Sequence, residues 1–399
     1  MMPTIDNDIA RLELLVQARA PSLAPNLGLA SGVAGVVLMQ ARLYQLRPTA
    51  ARRECIARLV ADLVAHLPRQ HLAPGLWTGL AGILYAFEFV RRVDPALLGD
   101  DGDDIAGFVL DMDAVLCQFM RNAPGDANYD LISGISGLGA YALMRTDRTA
   151  AQAIFQAAEH ALGTAAERGH DSWTWKTAGK HIPGNGSGQQ QPQQQQRDGR
   201  YDLGVAHGVA GVIGLLSLGL RVGLGSPDTG TMLRYAIDWL LAQENPPAAH
   251  SRFPSTLTAP AGSSRLGWCY GDLGIAMVLA AAAQALDDLR LDTYWQTLLE
   301  ARLRQPDSSF VLDSPGLCHG KSGVVHLLAG LARRADLPAA TALTARLRAE
   351  LAHAPKEGDD GRGAGLLEGW AGVALALAEP DESTPLSARP WDLCLLAGG

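Results

Sequence analysis

The stretches GWCYGDLGIAM (267–277) and GLCHGKSGVVH (316–326) decide how this chain folds. Each contains a glycine, two further residues, a second glycine and an apolar run. The same pattern occurs seven times, and its first glycines, 47 to 74 residues apart, are Gly32, Gly79, Gly134, Gly208, Gly271, Gly320 and Gly369. Two helices of about 15 residues and their loops fill roughly 50 residues. Each repeat therefore predicts one helical hairpin.

The segments around the motifs have helical character. ILYAFEFVRRV (83–93) places apolar residues three and four positions apart, and TMLRYAIDWLLAQ (231–243) is a second helical segment between motifs. Alternating β-branched segments are scarce, so the predicted fold class is all-α. Ser31, Thr78 and Ser133 precede a first glycine and are suitable helix N-caps. Seven hairpins form either an open solenoid or a closed α/α toroid with all motifs at one rim, and periodicity alone does not choose.

The composition excludes several classes of protein. With 48% hydrophobic and 19% charged residues, the chain can bury a core, so disorder along its whole length is excluded. A net charge of −8 without a basic run argues against nucleic-acid binding. Five cysteines do not make a disulfide scaffold, and the N-terminus lacks a signal-peptide pattern. No apolar run of about 20 residues suits a membrane span. We therefore expect a cytoplasmic protein with reduced thiols.

The repeat also predicts the domain organisation. A length of 399 residues suggests two or three domains, but the repeat extends along the chain and predicts one domain over 1–399. The longest gap between motifs contains HIPGNGSGQQQPQQQQRDG (181–199), with seven glutamines and no apolar periodicity. This composition predicts a Gln/Gly-rich surface loop at about 181–200. The loop is either an inert insertion or an element that covers a site or contacts a peptide.

Departures from the repeat mark residues that can carry chemistry. Copies five and six place a cysteine two residues before the glycine, Cys269 and Cys318, and copy six adds His319. His207 stands before the glycine in copy four. If the motifs share one rim, two thiolates and an imidazole converge there and suit Zn²⁺ with an open fourth position. The alternative is that these side chains simply pack between helices.

Three further residues are candidates for the same site. Asp130, at the entry to the third motif, is either a functional carboxylate or a helix cap. Arg265 is either a group that binds an anion or carbonyl, or an ordinary surface arginine. Tyr270 either donates a hydrogen bond or packs. Core packing is the expected role of Cys55, Cys117 and Cys394. It is also expected of Trp77, Trp268 and Trp370, for which lining a cavity is the alternative.

The chain resembles the lanthionine synthetase C-like family, the cyclases of class I lanthipeptide biosynthesis. Four motifs carry the resemblance, in this order: YDLISG (129–134), AHGVAG (206–211), RLGWCYG (265–271) and LCHG (317–320). It covers nearly the whole chain and implies an α/α toroid, a double barrel of seven hairpins, with one zinc ion at the mouth. By motif position, the implied zinc ligands are Cys269, Cys318 and His319. The implied catalytic residues are His207, Asp130, Arg265 and Tyr270.

The resemblance implies a zinc-dependent cyclase. In such an enzyme, a cysteine thiol of a precursor peptide adds to dehydroalanine or dehydrobutyrine in the same peptide and closes a (methyl)lanthionine ring. His207 would transfer the proton, with Asp130 orienting it, while Arg265 or Tyr270 stabilises the enolate. The substrate would be a leader-plus-core peptide that a separate dehydratase modifies and a transporter exports. The cyclase would join this membrane-bound complex peripherally.

Two other functions are compatible with the resemblance. One is a related enzyme that adds glutathione to dehydrated residues at the same zinc site. The other is a non-catalytic, zinc-containing scaffold that binds peptides. A toroidal glycosidase is disfavoured because no carboxylate pair recurs at motif positions. A terpene cyclase is disfavoured because the acidic run around Asp101 is typical of a solvated loop.

Overall fold

The computed structural model describes residues 5–23, 26–182, 198–352, 363–379 and 390–397. These ranges contain fourteen α-helices and one short antiparallel hairpin of β1 (Glu167–Arg168) and β2 (Trp173–Thr174). The helices are α1 (Ile5–Arg19), α2 (Val33–Leu46), α3 (Ala50–His66), α4 (Leu80–Val93), α5 (Gly102–Arg121), α6 (Ile135–Met144), α7 (Arg148–Ala165), α8 (Val209–Arg221), α9 (Thr229–Leu241), α10 (Asp272–Leu286), α11 (Leu289–Leu303), α12 (Lys321–Ala332), α13 (Pro338–Ala352) and α14 (Trp370–Ala378). The predicted all-α class is confirmed.

The seven helices that follow the motifs form a closed inner ring. They are α2, α4, α6, α8, α10, α12 and α14, each packed against the next, and α14 packs against α2. Their surfaces are buried nearly all round; in α10, for example, every residue over 272–283 is buried. A helix that is apolar on all faces belongs inside a protein. The closed toroid is therefore confirmed and the open solenoid is excluded.

The other seven helices form the outer layer and bury one face each. In α9 the buried positions are Met232, Leu233, Ala236, Ile237 and Leu240, which recur at helical spacing. The last hairpin is completed by the first helix, because α1 packs against α14. Both ends of the chain therefore contribute to closure of the toroid.

The glycines of each motif let a loop fold tightly over the start of an inner helix. A Cβ on the first glycine would lie within 2.5 Å of the carbonyl oxygen six residues earlier in all seven motifs, as at Gly32 and Gly271. Only Gly271 among these seven also has a positive φ, 102°. The N-cap is the glycine itself, so the prediction of Ser and Thr caps is wrong. Ser31 instead accepts a hydrogen bond from the side-chain amide of Asn26 (2.9 Å), while the loop carbonyls of Asn26 and Leu27 accept the first N–H groups of α2.

A circle of backbone hydrogen bonds joins the motif loops. It runs Ala30 N to Trp77 O (2.8 Å), Trp77 N to Ile132 O (2.9 Å), Leu131 N to Ala206 O (3.0 Å), Ala206 N to Cys269 O (3.3 Å), Cys269 N to Cys318 O (3.1 Å), Leu317 N to Leu367 O (2.7 Å) and Leu367 N to Ala30 O (2.9 Å). The bonds link residues at or next to the position two before each first glycine. Distant parts of the chain are thereby adjacent at one rim, and a backbone hydrogen bond joins Cys269 to Cys318.

The C-terminal segment Pro390–Leu395 lies against the inner helices, and its residues Trp391, Cys394 and Leu395 are buried. The Tyr85 hydroxyl of α4 donates to the carbonyl of Trp391 (3.0 Å). The indole N–H of Trp268 donates to the carbonyl of Leu395 (2.8 Å). Because Trp268 precedes Cys269, the segment supports the rim from inside the barrel. Trp268 also packs against Trp77, with ring centroids 5.6 Å apart, so both indoles belong to the core as expected.

The segment between α7 and α8 departs most from a plain hairpin. It holds β1 and β2, and further along it Thr177 and Arg200 form an isolated antiparallel bridge. Of the predicted Gln/Gly-rich loop at about 181–200, residues 183–197 lie outside the described part of the chain. Among the described residues, no helix combines the length and apolar character that a bilayer crossing requires.

Candidate active site

Three of the predicted site residues form one cluster at the rim. One ligand atom from each of Cys269, Cys318 and His319 lies within 4.8 Å of the others. Cys269 is buried, while Cys318 and His319 are partly exposed. The cluster follows from the fold, because Cys269 and Cys318 stand at equivalent positions of neighbouring motifs. His319 faces the same centre from the turn that begins α12.

The protonation of this cluster is unusual. A hydrogen bond from the Cys318 thiol, opposed by burial and reinforced by His319 and Arg265, lowers the pKa of Cys269 to about 5. Hydrogen bonds to Cys269 and Glu368 raise the pKa of His319 to about 9, against the effect of burial. The bond to Cys269, with burial, raises the pKa of Cys318 well above its usual value. These pKa shifts favour a thiolate at Cys269, a thiol at Cys318 and an imidazolium at His319.

The cluster is chemically suited to zinc. Two sulfurs and an imidazole nitrogen are preferred donors of Zn²⁺, which bonds them at about 2.0–2.3 Å. Tetrahedral coordination needs these donors within about 4 Å of each other, close to the observed spacing. Binding would release the Cys318 and His319 protons, since a metal ligand must be deprotonated. Three protein donors are the number typical of a catalytic zinc site.

His207 and Asp130 form a hydrogen-bonded pair beside the cluster. His207 Nδ1 lies 2.7 Å from Asp130 Oδ2. The other Asp130 oxygen accepts from the backbone N–H groups of Ser133 (2.8 Å) and Gly134 (2.9 Å), so the carboxylate is fixed within the turn that leads into α6. The Asp130 side chain thus contacts His207 and also holds the turn before α6, and its functional role stays a prediction.

The repeat explains why the pair is possible. At the position of Asp130 the other six motifs carry glycine: Gly28, Gly75, Gly204, Gly267, Gly316 and Gly365. These glycines lie against the next motif around the ring, and a Cβ on Gly204 would come within 2.5 Å of the Tyr270 ring. A carboxylate at this one position reaches the residue before the next first glycine, which is His207.

The pair shifts the pKa of both partners. Burial by itself lowers the pKa of His207, but the hydrogen bond and charge of Asp130 outweigh it, with smaller contributions from Asp202 and Cys269, and raise it. Burial raises the pKa of Asp130, but the bond and charge of His207 and the Ser133 N–H outweigh it and lower the pKa. The charged pair is thus favoured around neutral pH. The His207 side chain remains 24% exposed and accessible to a substrate.

Tyr270 and Arg265 occupy different positions at this rim. The Tyr270 ring stacks beside His207, with centroids 6.3 Å apart, and its hydroxyl donates to Asp202 (2.9 Å). Arg265 is half-buried and lowers the pKa of Cys269 through its charge, after the larger effects of Cys318, burial and His319. Within the described residues its guanidinium makes no ion pair. All seven predicted residues therefore meet on motifs three to six.

Two residues of the site were missed from the sequence. Asp202 holds the Tyr270 hydroxyl, and Glu368 Oε1 lies 3.1 Å from His319 Nδ1. Glu368 stands before the first glycine of the seventh motif, where His207, Tyr270 and His319 stand in theirs. That shared position was the available signal for Glu368. Asp202 has no such signal in the chain.

The chain is similar to known proteins over nearly its whole length. The family model for lanthionine synthetase C-like proteins matches residues 25–396. The nisin biosynthesis protein NisC of Lactococcus lactis subsp. lactis is 22% identical over 396 residues, covering 93% of this chain and 88% of that protein. The structure of nisin cyclase aligns with a TM-score of 0.79 at 20% identity, covering 98% of this chain and 97% of that one.

Fold and site together define an α/α-toroid protein with a candidate metal centre at the mouth of its inner barrel. The motif order, the ring of seven hairpins and the family match all extend over nearly the whole chain. The chain belongs to the lanthionine synthetase C-like family. The resemblance found in the motifs is thereby confirmed.

Proposed function

We propose that this protein is a zinc-dependent lanthipeptide cyclase that forms (methyl)lanthionine rings within a dehydrated precursor peptide. The observation that carries the proposal is the position of the Cys–Cys–His cluster beside the His207–Asp130 pair at one rim. The names under which the sequence match and the structure match are known, nisin biosynthesis protein NisC and nisin cyclase, support a peptide substrate and ring closure.

Cys269, Cys318 and His319 would hold one zinc ion. When bound, zinc supplies a Lewis acid that keeps a substrate thiol deprotonated near neutral pH. The protein provides a partly buried setting for these donors, in which the nearby Arg265 charge also favours thiolate.

His207 is the proposed proton donor. In ring closure the substrate sulfur bonds to the β-carbon of the dehydro residue, and the electron pair of the double bond moves towards the amide oxygen as an enolate. The α-carbon then takes up a proton, which matches the proton that the substrate thiol has released, so atoms, charge and electrons balance without a redox partner. Asp130 binds His207 Nδ1 at 2.7 Å, which leaves Nε2 to face the substrate. The charged pair keeps this proton available.

Arg265 is the proposed stabiliser of the enolate oxygen. Its side chain is half-buried, lies near the cluster and makes no ion pair among the described residues. A fixed positive charge in a partly dry site stabilises developing negative charge on oxygen. Tyr270 is placed differently, since its hydroxyl already donates to Asp202 at 2.9 Å. Of the two enolate candidates, the geometry favours Arg265.

The proposal includes a cellular setting. We propose a single catalytic domain over 1–399, supported by one hydrophobic core that contains residues of all seven hairpins. It would act in the cytoplasm on a leader-plus-core peptide that a separate dehydratase has modified. Peripheral association with the complex that exports the product belongs to the same proposal.

The function is tested with a synthetic peptide that carries one dehydroalanine and one cysteine. Ring closure leaves the mass unchanged, so remaining thiol is labelled with N-ethylmaleimide and the label is counted by mass spectrometry. We expect the wild type to contain one zinc per chain and to abolish labelling. Cys318→Ala should lose zinc and ring closure while helix content stays near that of the wild type, because one metal donor is gone. Ring formation by this variant would contradict the metal mechanism.

Controls separate the alternatives. Cys117→Ala removes a buried thiol of the outer helix α5 and should keep both zinc and activity. A mass gain of one glutathione, in its presence, instead of ring closure would identify the glutathione-adding relative. One zinc per chain without reaction on either substrate would indicate the non-catalytic scaffold.

A further inference from the structure

Asp202 is a buried carboxylate in direct contact with the predicted site. Its side chain is 1% exposed and lies on the loop before α8. Three donors surround it: the Tyr270 hydroxyl on Oδ1 (2.9 Å), and the Thr177 hydroxyl and Arg200 Nε on Oδ2 (both 2.9 Å). A buried carboxylate is stable only with such partners, and Arg200 neutralises its charge.

The backbone around Asp202 is held on both sides. Asp202 forms a bridge with Thr256, and its carbonyl accepts the N–H of Val209 at 3.1 Å. Thr177 and Arg200 form a second bridge to each other. The carboxylate therefore has a fixed position from which to hold another group.

That fixed position determines where the Tyr270 ring lies. One part of the ring lies over the backbone of Gly204, where a Cβ would come within 2.5 Å of it. The hydroxyl is bound to Asp202, and the ring stacks beside His207 at an interplanar angle of 29°. Tyr270 thus stands between a rigid carboxylate and the proposed proton donor.

We propose that Asp202 is a positioning residue of the active site, which holds Tyr270 so that its ring keeps His207 in line with Asp130. The inference rests on the proposed function for its kinetic consequence. It gives Tyr270 a positioning role, because the hydroxyl proton that an enolate would need is already donated to Asp202. It also links the site to Thr177 and Arg200, the bridge that flanks the Gln-rich insertion.

The test uses Asp202→Asn, Tyr270→Phe and the double variant of the full-length chain. Each single change should lower kcat for ring closure roughly 10- to 100-fold with little change in KM, because a small misplacement of a catalytic group has this effect. Zinc content should stay at one per chain. The double variant should be no slower than the worse single variant, since the two residues act as one unit. Additive losses, wild-type kcat in Asp202→Asn, or loss of zinc would each overturn the proposal.

A matched control is available on the outer layer. Glu159 is also buried, 6% exposed, and accepts hydrogen bonds from the Ser226 and Thr229 hydroxyls. Glu159→Gln should therefore alter stability but leave kcat unchanged. A kcat loss equal to that of Asp202→Asn would show a general packing effect and overturn the positioning role.

A spectroscopic measurement tests the positioning role without measuring activity. It also uses several variants, so the test does not depend on one of them folding. The Nδ1 proton of His207, shared with Asp130, should give a resolved NMR signal that broadens in Tyr270→Phe and Asp202→Asn. Thr177→Val, which removes one donor and leaves Tyr270 in place, should retain most of the signal. An unchanged signal in Tyr270→Phe would overturn the inference. If the wild type closes no ring while the signal behaves as expected, the proposed function fails and the positioning role stands.

Discussion

At the scale of the residue, the candidate site arises where single residues depart from the repeat. Six motifs have glycine where the third has Asp130, and that carboxylate reaches His207 of the next motif. Cys269 and Cys318 similarly replace residues that elsewhere only pack, such as Trp77. The repeat holds the backbone constant, so single substitutions bring chemical groups together without changing the fold.

The pH dependence of the His207–Asp130 pair is a prediction at this scale. Asp130 raises the pKa of His207 above its ordinary value of 6.5. The stability that the pair contributes is complete below that ordinary pKa and is lost as the pH rises through the raised one. If protonated His207 is the acid, the rate should fall over the same range. In Asp130→Asn the descending limb should move to lower pH, which rate profiles and NMR titration can measure.

His207→Ala is the companion variant. It should keep one zinc per chain, lose this pH limb and slow ring closure by about 10²- to 10⁴-fold, the usual contribution of general acid–base catalysis. Zinc loss in this variant would mean that His207 is itself a ligand. An unshifted limb in Asp130→Asn would assign the titration to another group.

At the scale of the element, the two glycines of a motif decide whether the loop can close over the helix. The second glycine of the fifth motif, Gly274, faces the carbonyl oxygen of Trp268, which precedes the proposed ligand Cys269. A Cβ at Gly274 would lie 2.3 Å from that oxygen. Backbone cannot move aside as a flexible side chain can, so the loop and the ligand must shift together.

Gly274→Ala should therefore lower both stability and zinc occupancy. Overpacking of this kind reduces the free energy of unfolding by typically 1–3 kcal/mol, about the range we expect. Gly107→Ala in α5 is the matched control, because a Cβ there has nothing within 4 Å. It should raise stability by about 0.5–1 kcal/mol, since alanine is the better helix former. Denaturant unfolding measures the stability of the two variants, and metal analysis measures their zinc occupancy. Equal changes in Gly274→Ala and Gly107→Ala would refute the explanation by close approach of the Trp268 carbonyl.

At the scale of the whole molecule, closure of the toroid depends on contacts between the two ends of the chain. Arg42 of α2 forms a two-point ion pair with Glu379, just after α14, at 2.8 and 3.0 Å. The side chains are only 1% and 4% exposed. The Trp391 indole of the C-terminal segment donates to the same carboxylate at 2.9 Å. The first inner helix α2, the end of the last inner helix α14 and the C-terminal segment thus meet at the Glu379 carboxylate.

Glu379→Gln should destabilise the closed ring. Removing one partner of a buried ion pair leaves the other charge uncompensated and reduces the free energy of unfolding by about 3–5 kcal/mol. Glu300→Gln is the control, because its pair with Arg304 is 44% and 74% exposed, and it should change stability by less than about 1 kcal/mol. Chemical denaturation compares the free energies of unfolding of the two variants. A loss in Glu379→Gln as small as that in Glu300→Gln would show that the Arg42–Glu379 pair is unimportant for closure.

Some features of the fold and the candidate site could be predicted from the sequence, and others depend on contacts between distant residues. The seven hairpins and the cluster of Cys269, Cys318 and His319 could be predicted because glycine spacing and motif position are periodic along the chain. Asp202 could not, because a carboxylate becomes significant only through the hydroxyl of Tyr270, 68 residues away. The prediction that Ser31, Thr78 and Ser133 are N-caps was also wrong. The first glycine takes that position because the folded loop brings the carbonyl six residues earlier against it.

The amino-acid sequence by itself determined the all-α class, the number of hairpins and the set of candidate residues for metal binding and proton transfer. These properties depend on local helix formation and on residue identity at repeated positions. Tertiary structure alone decided that the ring closes, that α1 completes the last hairpin, and that His207 meets Asp130 while Tyr270 turns to Asp202. The physical reason is that hydrogen bonds between motifs join residues far apart in the chain, and their partners are defined only once the helices pack.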